Sequence, residues 1–139
     1  MVAGQVLDTL HAPRTREEIT QVHNLKTGAM IAGACRIGVQ AAAGDGDLLA
    51  AAEVYGRELG LAFQIRDDLL DVVGNEMDFG KPIGSDAAKE KSTFVVLKGV
   101  EACQAWVNTL TEEAIACLLP FSGSDYLCGL ARFLAGRTK

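Results

Sequence analysis

The chain has 139 residues, of which 49% are hydrophobic and 22% charged, and its formal net charge is −5. This composition is that of a globular domain of ordinary size, and it excludes a chain that is disordered throughout. The acidic balance argues against a nucleic-acid backbone as partner and favours cations, or anions bridged by cations.

Hydrophobic residues recur at helical spacing along the chain, and no segment has the alternation of a β-strand. We therefore predict an all-α fold with six helical segments. A capping box of Thr15 with Glu18 starts the second helix, and Asp47, which ends the turn GDGD at 44–47, caps the third. The predicted helices are Val2–Leu10, Thr15–Ala43, Leu48–Val73, Lys89–Lys98, Val100–Leu119 and Asp125–Ala135, with a glycine-rich charged loop at 74–88.

The sequence carries no signal for secretion or for a membrane. None of the four cysteines is part of a CxxC pair, which argues against a zinc knuckle and favours free thiols in a reducing cytosol. The N-terminus lacks the basic and apolar regions of a signal peptide. The most apolar run, from Ala29 to Ala43, is interrupted by Arg36 and Gln40, so we expect no membrane span and a cytoplasmic protein.

The segment FQIRDDLLDVVG, residues 63–74, places three aspartates on a helix that is otherwise mostly apolar, and we expect its apolar positions to be mostly buried. At about 100° per residue, Gln64, Asp67, Asp68 and Asp71 fall within an arc of about 100°. A solvated face is one interpretation, but Asp67 and Asp71 are like charges at i,i+4, which is destabilising. Mg²⁺ removes this repulsion and prefers carboxylate oxygens, so we favour a metal site at Asp67, Asp68 and Asp71.

Two lysines could hold a phosphate group beside such a metal. Lys81 lies between Gly80 and Gly84, which let a ligand approach the backbone closely. Lys26 and Thr27 come directly before a stretch of small residues. Each lysine alone is explained as well by an ordinary exposed side chain. Together with the aspartates, they suggest a diphosphate held between cation and metal.

Four segments resemble the C-terminal half of trans-prenyl diphosphate synthases, close to the bacterial farnesyl and geranylgeranyl diphosphate synthases. The combination FQxxDDxxD followed by GKxxGxD is specific to this family. The resemblance implies an all-α helical bundle, the C-terminal half of the isoprenoid synthase fold, as one partial domain over residues 1–139. The segments are MVAGQVLD (1–8), HNLKTGAMIAGACRIG (23–38), GRELGLAFQIRDDLLDVVG (56–74) and FGKPIGSDAAKEKSTFVVLKG (79–99).

The resemblance also implies a reaction, the Mg²⁺-dependent head-to-tail condensation of an allylic diphosphate with isopentenyl diphosphate. It implies that Asp67 is a direct Mg²⁺ ligand. It also implies that Asp68 and Asp71 act on Mg²⁺ through water molecules or by orienting such a water. It implies that Lys26 and Lys81 bind the allylic diphosphate. The resemblance places Thr27 and Gln64 beside the allylic cation that develops during the reaction, and Gln5 along the substrate channel. It also matches Asp86, in the loop that follows Lys81, to an aspartate of the family.

The family's first aspartate-rich motif, which lies in the N-terminal half of its members, is absent from this sequence. No second DDxxD or DDxxxxD occurs. Three hypotheses follow: an enzyme half that works with a separate N-terminal half, a non-catalytic remnant or partner subunit, and a homodimer in which two DDLLD helices face each other. Because half of a helical bundle exposes apolar faces, we also expect the chain to oligomerise.

Four further residues, two of them at the C-terminus, lie outside these motifs. For His23 we favour a packing or capping role, and for Trp106, which has helical spacing with Leu110, a place in the core. Arg137 and Lys139 resemble the basic C-terminus of the family. That terminus could approach the substrate site or be a solvated tail, and the sequence leaves both open.

Overall fold

The computed structural model describes residues 2–10, 15–79 and 93–138, and it confirms the all-α prediction for this part of the chain, in which no strand occurs. The α-helices are separated at one place by a π-helical segment. The elements are α1 (Val2–Leu10), α2 (Arg16–His23), the π segment (Asn24–Gly28), α3 (Ala29–Ala41), α4 (Gly46–Phe79), α5 (Phe94–Lys98), α6 (Val100–Ala116) and α7 (Asp125–Gly136).

Polar side chains cap the starts of three helices, at Thr15, Asp45 and Thr93, and one of the two predicted caps is wrong. The Thr15–Glu18 capping box is confirmed: Glu18 N donates to Thr15 Oγ1 at 3.2 Å, and Thr15 N donates to Glu18 Oε2 at 3.0 Å. The prediction of Asp47 as the cap of α4 is wrong, because Asp45 Oδ1 accepts from Leu48 N at 2.8 Å and Asp47 lies in the first turn. Both aspartates in GDGD can cap a helix, so the sequence alone did not separate them.

Several of the predicted helix bounds need correction. The helix predicted from Thr15 to Ala43 is interrupted by the π segment and ends at Ala41. Helix α4 continues to Phe79 rather than ending at Val73, because Gly74 weakens a helix by about 1 kcal/mol without removing its hydrogen-bond donor. Helix α6 ends at Ala116 instead of Leu119. The predicted loop beyond Phe79 and the residue Lys89 lie outside the described residues. The helix predicted from Lys89 to Lys98 is wrong at Thr93, which is extended and caps a helix that begins at Phe94.

Helix α4 is the centre of the fold, and two clusters of buried side chains lie along it. The first joins α4 to α2, α5 and α6 around Ile65 and Phe94, which are both fully buried. The second joins α4 to α6 and α7 around Tyr55. The predicted burial of the apolar α4 positions is confirmed for Leu59, Leu61, Ala62, Ile65 and Leu69.

Three glycines allow neighbouring helices to approach the π segment and α3 at backbone distance. A Cβ on Gly60 would lie 2.6 Å from Gly28 Cα, and a Cβ on Gly56 would lie 2.5 Å from Ala32 Cα. A Cβ on Gly4 of α1 would lie 2.5 Å from Lys26 N. The π segment is therefore held by backbone contact from α1 on one side and from α4 on the other.

Helix α3 contributes little to the core. None of its residues is buried, and the side chains of Met30 and Ile37 are 56% and 67% exposed. Exposed apolar side chains on one helix are typical of a surface that packs against another chain. Over the ranges that the structure describes, no helix combines the length and hydropathy needed to cross a membrane.

Tyr55 anchors α4 to α7 in the second cluster. Its side chain is 1% exposed, and its hydroxyl donates to the carbonyl oxygen of Leu127 at 2.8 Å. Burial, with a smaller contribution from the neighbouring thiols of Cys35, Cys128 and Cys117, raises the pKa of Tyr55 from 10.0 to about 12.

This shift predicts alkaline destabilisation through Tyr55. Because the folded pKa lies above the unfolded one, the stabilisation is complete below pH 10 and is lost as the pH rises towards 12. We expect the free energy of unfolding to fall by about 1–3 kcal/mol over this window. Urea denaturation of the wild type and of Tyr55→Phe at pH 9 and pH 11.5 measures it. A loss of equal size in both proteins would assign the effect to the cysteines instead.

Candidate active site

The three aspartates of α4 have different surroundings. Asp67 Oδ1 pairs with Nη2 of Arg137, and its Oδ2 accepts from Gln64 Nε2 at 3.5 Å. Asp68 Oδ2 lies 3.8 Å from Nε2 of His23, and both side chains are largely buried. Asp71, one turn after Asp67, is exposed.

Three effects act on the carboxyl group of Asp67. Burial raises its pKa above the usual value, the charge of Arg137 and its hydrogen bond lower it, and the charge of Asp71 raises it again. The net direction is upward. Because the pKa of Asp67 is raised, any further cation that approaches this carboxyl group stabilises its charged form.

The π segment runs antiparallel to α4 across the same region. His23, at the end of α2, lies beside Asp68, while Gly28 packs on Gly60. Lys26 and Thr27 are between these two contacts. They therefore lie opposite the stretch of α4 between 60 and 68, which contains Gln64 and Asp67.

The π-helical geometry is a feature that periodicity did not predict. The backbone N–H of Ala29 donates to the carbonyl of Asn24, five residues earlier, where an α-helix would use a spacing of four. Such a segment turns the following side chains relative to the preceding helix, and short π segments occur often at functional sites. Lys26 and Thr27 lie inside it, so their direction depends on this irregular turn.

The donor set of α4 fits a magnesium ion with few protein ligands. Within the described part of the chain, no three histidine, cysteine or acidic side chains converge closely enough to hold a metal by themselves. Mg²⁺, however, is commonly bound through one or two carboxylates, with water and substrate phosphates completing the shell. Asp67, partly exposed and one turn from the exposed Asp71, has the chemistry for that arrangement.

The other sequence-predicted site residues are distributed as follows. Gln5 lies on the exposed side of α1, next to the glycine that contacts Lys26. Lys81 and Asp86 lie outside the described residues. Trp106 is only partly buried: it packs edge-on against Phe94 at 4.8 Å, and the guanidinium of Arg16 lies 4.2 Å from its ring centroid.

Two residues have a closer relation to the aspartates than the sequence indicated. His23 does pack, with its ring 5.4 Å from that of Phe94, but it also faces Asp68. Of the two interpretations left open for Arg137, the solvated tail is wrong, because its side chain is 17% exposed and pairs with Asp67. The resemblance to a basic family C-terminus was the only signal for Arg137.

Known proteins share the sequence and the fold of this chain. The family model described as polyprenyl synthetase matches residues 1–116. The farnesyl diphosphate synthase of Micrococcus luteus is 37% identical over 145 aligned residues, covering 100% of this chain and 49% of the relative. The crystal structure of a putative farnesyl-diphosphate synthase from Marinomonas sp. MED121 matches with a TM-score of 0.80 and 29% identity, over 97% of this chain and 46% of that one.

A third match is a geranyltransferase from Helicobacter pylori, whose crystal structure is described as complexed with magnesium and isoprenyl diphosphate. It has a TM-score of 0.71 and 30% identity, and covers 97% of this chain and 45% of that one. The chain thus spans about half the length of each of these three proteins.

Proposed function

Because the chain belongs to the polyprenyl synthetase family, we propose that it supplies the second catalytic half of a Mg²⁺-dependent trans-prenyltransferase. The proposed reaction condenses an allylic diphosphate with isopentenyl diphosphate. The observation that carries the proposal is the register of the π segment on α4, with Lys26 and Thr27 opposite the stretch that contains Asp67. This register would bring a cationic side chain and metal-binding carboxylates to one diphosphate.

In this proposal each residue acts by charge or position, and no protein nucleophile is needed. Asp67, with Asp68 and Asp71, would hold Mg²⁺, which neutralises a diphosphate leaving group when bound. Lys26 would bind the allylic diphosphate from the opposite side, together with Lys81. The dipoles of Thr27 and Gln64 would stabilise positive charge on the allylic carbon, and Gln5 would lie along the substrate channel.

The magnesium assignment has two supports. The donors on α4 are hard oxygen ligands of the kind Mg²⁺ prefers. The H. pylori geranyltransferase, which is similar in fold, is described as a complex with magnesium and isoprenyl diphosphate.

We further propose that the chain works in an assembly, either with a complementing N-terminal half or with a second copy of itself. The exposed apolar side chains of α3 support this, since such a surface is stabilised by a partner. Sedimentation as a monomer at micromolar concentration would contradict self-association. The four cysteines are free, which supports the proposed cytoplasmic location.

Product formation tests the proposed function. The chain is incubated with Mg²⁺, isopentenyl diphosphate and dimethylallyl diphosphate, alone and with the separately produced N-terminal half of the M. luteus synthase. Mass spectrometry then detects geranyl and farnesyl diphosphates. We expect product with the added half, and a rate lower by about a hundredfold or more in Asp67→Asn, because the metal supplies several kcal/mol of stabilisation.

Asp47→Asn is the matched control, since it makes the same change at an exposed aspartate in the first turn of the same helix. It should retain the wild-type rate. Product from the chain alone, lost in Asp67→Asn, would favour a site completed by a second copy. Absence of product in both mixtures would contradict the proposal and favour a non-catalytic remnant or partner subunit.

A further inference from the structure

Arg137, the residue that follows α7, is held on α4 by Arg66, which comes directly before Asp67. Nε and Nη2 of Arg66 donate to the carbonyl oxygen of Arg137 at 3.0 and 2.6 Å. Nη1 of Arg66 donates to Oε1 of Gln104 on α6 at 2.7 Å. One guanidinium therefore joins three helices and determines where the backbone of Arg137 lies.

The side chain of Arg137 lies along one turn of α4. Its guanidinium carbon is 3.9 Å from the centroid of the Phe63 ring, and Nη2 lies 3.4 Å from the carbonyl oxygen of Phe63. The same Nη2 pairs with Oδ1 of Asp67. A planar guanidinium is suited to stacking on a ring while it binds a carboxylate, so these contacts support one another.

This contact offsets the repulsion between Asp67 and Asp71. The two like charges at i,i+4 are unfavourable on an isolated helix, and the positive charge of Arg137 partly neutralises them. Both oxygens of Asp67 already have a donor, Arg137 on Oδ1 and Gln64 on Oδ2. A metal ion bound at Oδ1 would need the position that Nη2 occupies, because Mg²⁺ binds oxygen at about 2.1 Å and repels a neighbouring cation.

We propose that Arg137 is a built-in counter-cation that competes with Mg²⁺ for the carboxylate of Asp67, so that metal binding displaces the Arg137 side chain from Asp67 while Arg66 keeps the Arg137 backbone on α4. This inference rests on the proposed function, since it takes Asp67 as a metal ligand. Arg137 lies beyond the residues 1–116 that the family model matches.

Metal binding tests the competition directly. Mn²⁺, which gives an electron paramagnetic resonance signal when free in solution, is titrated into the full chain at low ionic strength with inorganic pyrophosphate present. We expect Arg137→Gln to bind Mn²⁺ about tenfold more tightly than the wild type, a factor within the range that one adjacent opposite charge produces at a carboxylate. Asp67→Asn should lose the site.

Arg36→Gln is the matched control for the loss of one positive charge. Arg36 makes an exposed pair with Glu53 at 3.7 Å, on another part of the surface. Its Mn²⁺ affinity should stay within about twofold of the wild type, because the high dielectric constant of water weakens the interaction of an exposed charge with a distant site. A tenfold gain in this variant as well would overturn the proposal, since net charge would then explain the result.

A second measurement needs no substitution of Arg137. In the wild-type chain, the Nε–Hε resonance of Arg137 is followed by nuclear magnetic resonance while Mg²⁺ and pyrophosphate are added. We expect it to shift or broaden as the site fills. An unchanged resonance at saturation would overturn the proposed competition, and so would weaker Mn²⁺ binding in Arg137→Gln than in the wild type. In either case, metal binding that is lost in Asp67→Asn would still support the proposed function. Metal binding that does not depend on Asp67 would overturn both.

Discussion

Replacing Gly60 with alanine is expected to lower the free energy of unfolding by about 2–3 kcal/mol, because α4 and the π segment touch through their backbones. A Cβ at residue 60 would lie 2.6 Å from Gly28 Cα and 3.1 Å from Gly28 N. These atoms belong to a buried backbone and cannot rotate away as a flexible side chain can. The two segments would have to separate, and Lys26 and Thr27 would move away from Asp67.

Gly33→Ala is the matched control, since it makes the same change on α3, where a Cβ would meet no atom within 4 Å. Alanine is a better helix former than glycine, so this variant should gain about 0.5–1 kcal/mol. Urea denaturation followed by circular dichroism measures both. Opposite signs for the two substitutions would confirm the backbone contact, whereas a stabilising Gly60→Ala would disprove it.

Replacing Phe94 with alanine is expected to cost about 4 kcal/mol, the upper part of the range for a buried aromatic side chain. Phe94 is 0% exposed and lies between two rings, His23 at 5.4 Å and Trp106 at 4.8 Å. Its removal would leave a cavity beside His23, which faces Asp68. A loss of this size is a large part of the stability of an ordinary domain.

Phe133→Ala is the matched control, since it makes the same change at an exposed position where little packing is lost. Phe133 is 69% exposed, so its loss should change the free energy of unfolding by about 0.5 kcal/mol or less. Thermal and urea denaturation of the two variants give the comparison. Equal losses in the two variants would mean that Phe94 is not a core residue.

The sequence predicted those features of the fold that depend on neighbouring residues. Helical periodicity determined the all-α class and the burial of Leu59, Ile65 and Leu69 on α4. The capping box at Thr15 was read from residues three apart. The same local reasoning placed Asp67, Asp68 and Asp71 on one arc of a helix, and the motif around them indicated the family that the comparisons then identified.

Predictions made from neighbouring residues were wrong where two local conformations of the chain have similar free energies. Asp45 and Asp47 can both cap a helix, and only the structure assigns the hydrogen bond to Asp45. Gly74 weakens a helix without ending it, so α4 extends to Phe79.

The tertiary structure alone decided how the candidate site is assembled. The π segment at Asn24–Gly28 has no periodicity of its own, and its register on α4 is determined by the contact between Gly28 and Gly60. The pair between Asp67 and Arg137 joins residues 70 positions apart. Patterns of capping and periodicity extend over about four residues, so they carry no information about such a pair. Which cation reaches Asp67 is therefore a property of helix packing, whereas the presence of aspartates on α4 is a property of the sequence.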